Sequence, residues 1–167
     1  VLVEKGVDVN AQGGIYGNAL QAASLNGNEE TVAVLLEKEA DVNLQGGLWG
    51  NALLVASIKG RNKIVAMLLE KGANINIQGG IFGNALQAAS AEGEEEIIAM
   101  LVEKGADVNA QGGIYGTALQ VAAGSGNEEN IAMLLEKGAD VNVQGGIFGN
   151  ALQAASAGGG EEIVTML

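Results

Sequence analysis

The stretch Gln12–Ser24, QGGIYGNALQAAS, returns as QGGLWGNALLVAS from Gln45, QGGIFGNALQAAS from Gln78, QGGIYGTALQVAA from Gln111 and QGGIFGNALQAAS from Gln144. The Gln-Gly-Gly triplets begin at residues 12, 45, 78, 111 and 144, a period of 33 without a gap. A fixed period of about 20–50 residues marks a stacked-repeat architecture, because one short unit cannot bury its own apolar face and must lean on the next.

One unit, Gln78 to Ala110, shows the local logic. Gln78–Gly83 is glycine-rich and reads as a turn or hairpin. Asn84 stands where a helix N-cap belongs, and its counterparts are Asn18, Asn51, Thr117 and Asn150; either side-chain oxygen type accepts an orphan backbone N–H. Ala85–Ala91 is predicted as a short helix with Ala85, Leu86 and Ala89 facing inward, broken at Gly93. Glu94–Lys104 is predicted as the second helix, with an apolar stripe of Ile97, Ile98, Met100, Leu101 and Val102. Its first turn is rich in glutamate and Lys104 closes the last, which suits the helix dipole. Gly105 lies where a left-handed residue ends a helix, and Ala106–Asn109 is expected to run extended into the next triplet.

These residues carry a resemblance. The unit resembles an ankyrin repeat, and the family's T-P-L-H-x-A signature stands here as NALQAA, NALLVA, NALQAA, TALQVA and NALQAA. Its G-A-D-V-N linker stands at Gly105–Asn109 and Gly138–Asn142, with inexact copies at Gly6–Asn10, Glu39–Asn43 and Gly72–Asn76. Alanine replaces the family's proline, Gln or Leu its histidine, and the finger reads Gly-Gly-Ile-aromatic-Gly. That dialect resembles the ankyrin arrays of fungal NOD-like receptor (NACHT-ankyrin) proteins. The resemblance implies an all-α ankyrin solenoid of helix-turn-helix units with finger-like turns. The array would span residues 1–167: a partial unit 1–11, full repeats 12–44, 45–77, 78–110 and 111–143, and a partial unit 144–167. Val1–Gly6 matches the end of a unit and Ile163–Leu167 stops at nearly the same phase, both without polar caps. This predicts a slice from inside a longer protein.

Composition narrows the function. The chain has no cysteine and no histidine, which removes disulfides, thiolate metal sites and the commonest general base. The net charge of −12 argues against nucleic acid and anionic membranes as partners. No apolar run reaches the ~18 residues of a spanning helix. A soluble intracellular protein, cytoplasmic, with no metal and no cofactor, is the expectation.

Two motifs are weighed and set aside. The glycine turn running into a helix has the shape of a phosphate cradle, but no P-loop lysine follows and the surroundings are acidic. Asp41-Val42-Asn43-Leu44-Gln45-Gly46 echoes the opening of an EF-hand loop, whose twelfth position needs glutamate and is Ala52 here. The repeated Asn10, Asn43, Asn76, Asn109 and Asn142 are expected to tie down linker backbone instead. No nucleophile–base pairing emerges, so no enzyme is predicted.

Variation between units is more informative. The freest columns fall at the end of the first helix and in the turn after it: Leu25–Asn28, Ile58–Arg61, Ala91–Glu94, Gly124–Asn127 and Ala157–Gly160. In ankyrin arrays the finger and first helix line the partner-binding face. The resemblance therefore implies a protein-recognition module, with Leu25, Asn26, Asn28, Ile58, Lys59, Arg61, Ala91, Glu92, Glu94, Ser125 and Asn127 as candidate partner-binding residues. Drift on a tolerant turn is the plainer account. A stiff spacer between other domains is the alternative function.

All five aromatics, Tyr16, Trp49, Phe82, Tyr115 and Phe148, share one column. Packed helices stand about 8–10 Å apart, whereas ring pairs prefer about 4.5–7 Å. Each ring is therefore expected to pack on the backbone and Ile or Leu of a neighbouring finger, with an exposed binding stripe as the alternative. Charge also alternates. Unit 45–77 carries Lys59, Arg61, Lys63 and Lys71 against Glu70, while the units on either side are strongly acidic. The basic unit reads as a docking patch for an acidic partner or as three ion pairs one repeat apart, Lys59–Glu92, Arg61–Glu94 and Lys63–Glu96.

Overall fold

A computed structural model describes residues 6–158 and 160–167. Val1–Lys5 and Gly159, assigned above to the first partial unit and to a variable turn, lie outside the described residues. Five times the chain makes a finger and then a helix pair. Each finger closes on one antiparallel bridge: Gly13–Gly17, Gly46–Gly50, Gly79–Gly83, Gly112–Gly116 and Gly145–Gly149. The helices are α1 (Ala19–Asn26), α2 (Glu29–Glu37), α3 (Ala52–Ile58), α4 (Asn62–Glu70), α5 (Ala85–Glu92), α6 (Glu95–Glu103), α7 (Ala118–Ser125), α8 (Glu128–Glu136), α9 (Ala151–Gly158) and α10 (Glu161–Met166).

The capping column does what its chemistry demands. The side chains of Asn18, Asn51, Asn84, Thr117 and Asn150 accept from the backbone N–H three residues on, at 2.8–3.3 Å. The first helices form the centre of the stack. In α5 every residue from Ala85 to Ser90 is buried, whereas α6 buries only Ile97, Ile98 and Leu101. Successive first helices pack more closely on one another than successive second helices do. The array therefore curves with the first helices on its inner side.

The second helices end on left-handed residues, Gly72, Gly105 and Gly138, where a Cβ would meet nothing. Glu39 holds the same column at φ 62°, so its strain is purely backbone. Glu39→Gly is expected to stabilise the array by about 1 kcal/mol, and an unchanged denaturation midpoint would contradict this.

The linker is a turn and not the extended run expected of Ala106–Asn109. Ala110 donates its backbone N–H to the Asp107 carbonyl at 3.1 Å, and Asn109 N–H donates to the Asp107 carboxylate at 3.0 Å. Aspartate bends its own backbone, which closes a turn. The asparagine column then joins units. Asn109 Oδ1 accepts from Asp140 N–H at 2.8 Å and its amide donates to the Gly138 carbonyl at 3.0 Å.

Two polar features sit awkwardly. Asn130 occupies the column of Ile64, Ile97 and Ile163, is fully buried, and its amide has no hydrogen-bond partner among the described residues. Glu128, at the start of α8, has its pKa raised above the ordinary carboxylate value, chiefly by the charge of Glu162, then by desolvation, a hydrogen bond with Glu162, and Glu129. A raised carboxylate pKa means that the folded chain holds this proton more tightly than the unfolded chain. The associated stability is present below the ordinary value of 4.5 and is lost as pH rises through the raised one. Glu162→Gln should therefore stabilise α8–α10 at pH ~7 and lose that advantage in acid. Parallel melts of variant and parent across pH would show it, and an advantage that persists in acid would refute the carboxylate repulsion.

Candidate binding groove

The groove is built from the aromatic column and the ends of the first helices. Phe82 and Tyr115 stand 5.8 Å apart with planes tilted by 31°, and Tyr115 and Phe148 stack at 6.2 Å and 20°. Phe82, Tyr115 and Phe148 thus do stack on one another, contrary to the expectation from helix spacing, whereas Tyr16 and Trp49 join no ring pair among the described residues. That spacing describes helix axes, whereas the rings lie on the inner side of a curved stack, where neighbouring units converge. The finger Ile and Leu do not lie beneath the rings either. Ile15, Leu48, Ile81, Ile114 and Ile147 are 46–66% exposed along the finger tips. Phe82 is buried, Trp49, Tyr115 and Phe148 are half-buried, and Tyr16 is exposed.

Phe82, Tyr115 and Phe148 pack on the first helix of the preceding unit. Phe82 joins Leu54, Ile58 and Ala88 in a small apolar cluster, with Trp49, Ala91 and Tyr115 at its edge. Ile58 is 4% exposed, so this candidate is core and not contact surface. In the next two units the column shrinks to Ala91 and Gly124, and a cavity of about 290 Å³ opens. Phe82, Tyr115 and Phe148 line it together with Ala91, Glu92, Val121, Gly124 and Ser125. The candidates Ala91, Glu92, Ser125, Phe82, Tyr115 and Phe148 are thus brought together. In the unit before, Lys59 places its ammonium 5.7 Å from the centroid of Trp49.

The remaining candidates are used within the scaffold. Asn28 and Asn127 cap α2 and α8 through their side chains. The Arg61 guanidinium lies over Gly27, the Glu94 carboxylate over Gly60, and the Asn127 amide over Gly93. Leu25 is half-buried and Asn26 donates to the Ala22 carbonyl within its own helix.

The three ion pairs do not form. Lys63 Nζ is 3.3 Å from Glu29, Glu96 accepts from the Asn62 amide, and Lys59 turns to Trp49. Those two polar contacts join residues 34 apart, as does the Ser125 Oγ bond to the Ala91 carbonyl. Neighbouring units are therefore offset by one residue on this side, and equal-column pairing is displaced accordingly.

Sequence reasoning missed the role of the glutamine three residues after the capping residue. Gln120 Nε2 donates to the carbonyls of Val143, at the end of its own unit, and of Gly145 and Gly149 in the next finger, at 3.0–3.2 Å, while its Oε1 accepts from Thr117 N–H. Gln87 does the same for Ala110, Gly112 and Gly116, and Gln21 reaches Gly46 and Gly50. Leu54 breaks the series. The replacement of the family's histidine by an amide, visible in the sequence, was the available signal.

Among the described residues no helix is long and apolar enough to cross a membrane, and no cluster of His, Cys, Asp or Glu would hold a metal ion. Fingers on stacked antiparallel helix pairs, with a groove along the inner side, define a helical repeat solenoid. A family model for ankyrin repeats matches in three copies, over residues 1–79, 51–112 and 79–145. The chain belongs to the ankyrin repeat family, whose members are generally protein–protein interaction modules. No curated protein matches it.

Proposed function

We propose that this chain is a non-catalytic recognition array of a larger intracellular, cytoplasmic receptor or scaffold protein, and that its groove binds a protein partner. The array comprises repeats 12–44, 45–77, 78–110 and 111–143 between partial units 1–11 and 144–167. The observation that carries this reading is the aromatic-lined cavity, formed where the scaffold stays fixed and one column shrinks from Ile58 to Ala91 and Gly124. The finger dialect supports the receptor setting through its likeness to NACHT-ankyrin arrays. Affinity capture with the array, in parallel with a Tyr115→Glu variant, tests it. Proteins held by the parent and lost by the variant support recognition. An array that retains no specific protein leaves the spacer, and identical retention by both places the binding surface away from Tyr115.

The spacer reading has its own support. Leu48 N–H donates to the Ile15 carbonyl, Ile114 to Ile81, and Ile147 to Ile114, at 2.9–3.0 Å. This backbone ladder along the finger tips resists bending.

A further inference from the structure

We propose that the cavity beside Tyr115 takes the guanidinium of an arginine from a basic segment of the partner, held between the stacked rings and the Glu92 carboxylate; this rests on the recognition reading above. The array contains its own precedent. One unit earlier, Lys59 sets a cation over the ring of Trp49, 5.7 Å from its centroid. Glu92 occupies the column of Lys59, and Phe82 the column of Trp49. At this unit the chain supplies the rings and no cation.

A carboxylate beside aromatic rings is a poor pairing alone, because ring faces are electron-rich. A cation between them resolves it, attracted by the rings and by the charge. Glu92 is exposed and makes no ion pair among the described residues. The room comes from Ala91 and Gly124, where a Cβ on Gly124 would already come within 3.2 Å of the Phe148 ring. Charge favours the same occupant, since unit 78–110 carries Glu92, Glu94, Glu95, Glu96, Glu103 and Asp107 against Lys104. Arginine is favoured over lysine because its planar group stacks on rings and engages a carboxylate with two donors.

The test uses acetyl-Gly-Arg-Gly-amide, titrated into the array while the Phe82, Tyr115 and Phe148 ring resonances are followed by NMR. Counterparts carry citrulline, lysine or leucine at the centre. The arginine peptide should give a saturable shift with Kd on the order of 1 mM, the lysine peptide a weaker one, and citrulline and leucine none. Glu92→Gln should weaken the arginine peptide by roughly tenfold. Ala91→Ile should abolish its binding and keep the melting midpoint, since Ile58 already fills the equivalent place. No saturation by the arginine peptide, equal shifts from citrulline, or stronger binding of lysine or leucine overturns the assignment. So does binding that survives Ala91→Ile. If a protein is captured in a Tyr115-dependent way while the peptide leaves the rings unmoved, the arginine assignment fails and the recognition reading stands.

Discussion

Gly113→Ala is expected to destabilise the array by about 2–5 kcal/mol. Two costs combine. Gly113 has φ +58°, a left-handed conformation that costs an alanine about 1–2 kcal/mol. Its Cβ would also lie 2.3 Å from the Phe82 carbonyl carbon and 2.4 Å from the Ile81 oxygen. Both are backbone atoms of the preceding finger, so no side chain can swing aside and the stack must open. Overpacking of this kind costs about 1–3 kcal/mol. Gly105→Ala separates the two, because Gly105 has φ +94° and nothing near its missing Cβ. It should lose only the conformational part. Equal losses in denaturant melts of the two variants would show that close approach of the fingers contributes nothing.

Asn130→Ile is expected to stabilise the array by about 1–3 kcal/mol. The asparagine amide is fully buried without a partner, and the same column holds Ile64 and Ile97 at no more than 1% exposure. The replacement removes desolvated polar atoms and adds apolar volume to a site shaped for it in neighbouring units. Asn130 N–H donates to the Asn127 side chain, a capping bond that isoleucine keeps because it uses backbone only. A lowered midpoint would mean that the amide is satisfied in solution.

How far the sequence led depended on whether the physics was local. The cap column, the left-handed glycines and the position of Glu39 follow from chemistry within a few residues, and the structure agrees with each. The linker bend is local as well, but the extended run expected for Ala106–Asn109 leaves out Asp107 as an acceptor for Asn109 N–H. Contacts between units needed more. Ring stacking depends on curvature, which no single unit encodes. The offset between neighbouring units also changes across the stack. It is 33 at Leu48–Ile15, 34 at Lys63–Glu29 and 31 at Asp140–Asn109. The glutamine column was visible, but its partners in the next finger are carbonyls brought within reach only by stacking.

Leu54 has a thermal consequence. Where Gln21, Gln87 and Gln120 clamp the next finger with hydrogen bonds, Leu54 joins Ile58 and Phe82 in an apolar cluster. The finger-tip bond from Ile81 N–H to the Leu48 carbonyl is missing at this same junction. Apolar contact weakens on cooling, whereas hydrogen-bonded contact does not share that trend. In a chain of units coupled only to their neighbours, partial opening starts at the weakest coupling. The junction between the second and third fingers is thus a cold seam. Near freezing, the amide of Gly79, bonded to the Gly83 carbonyl within the third finger, should exchange with solvent faster, relative to those of Gly112 and Gly145, than it does at room temperature.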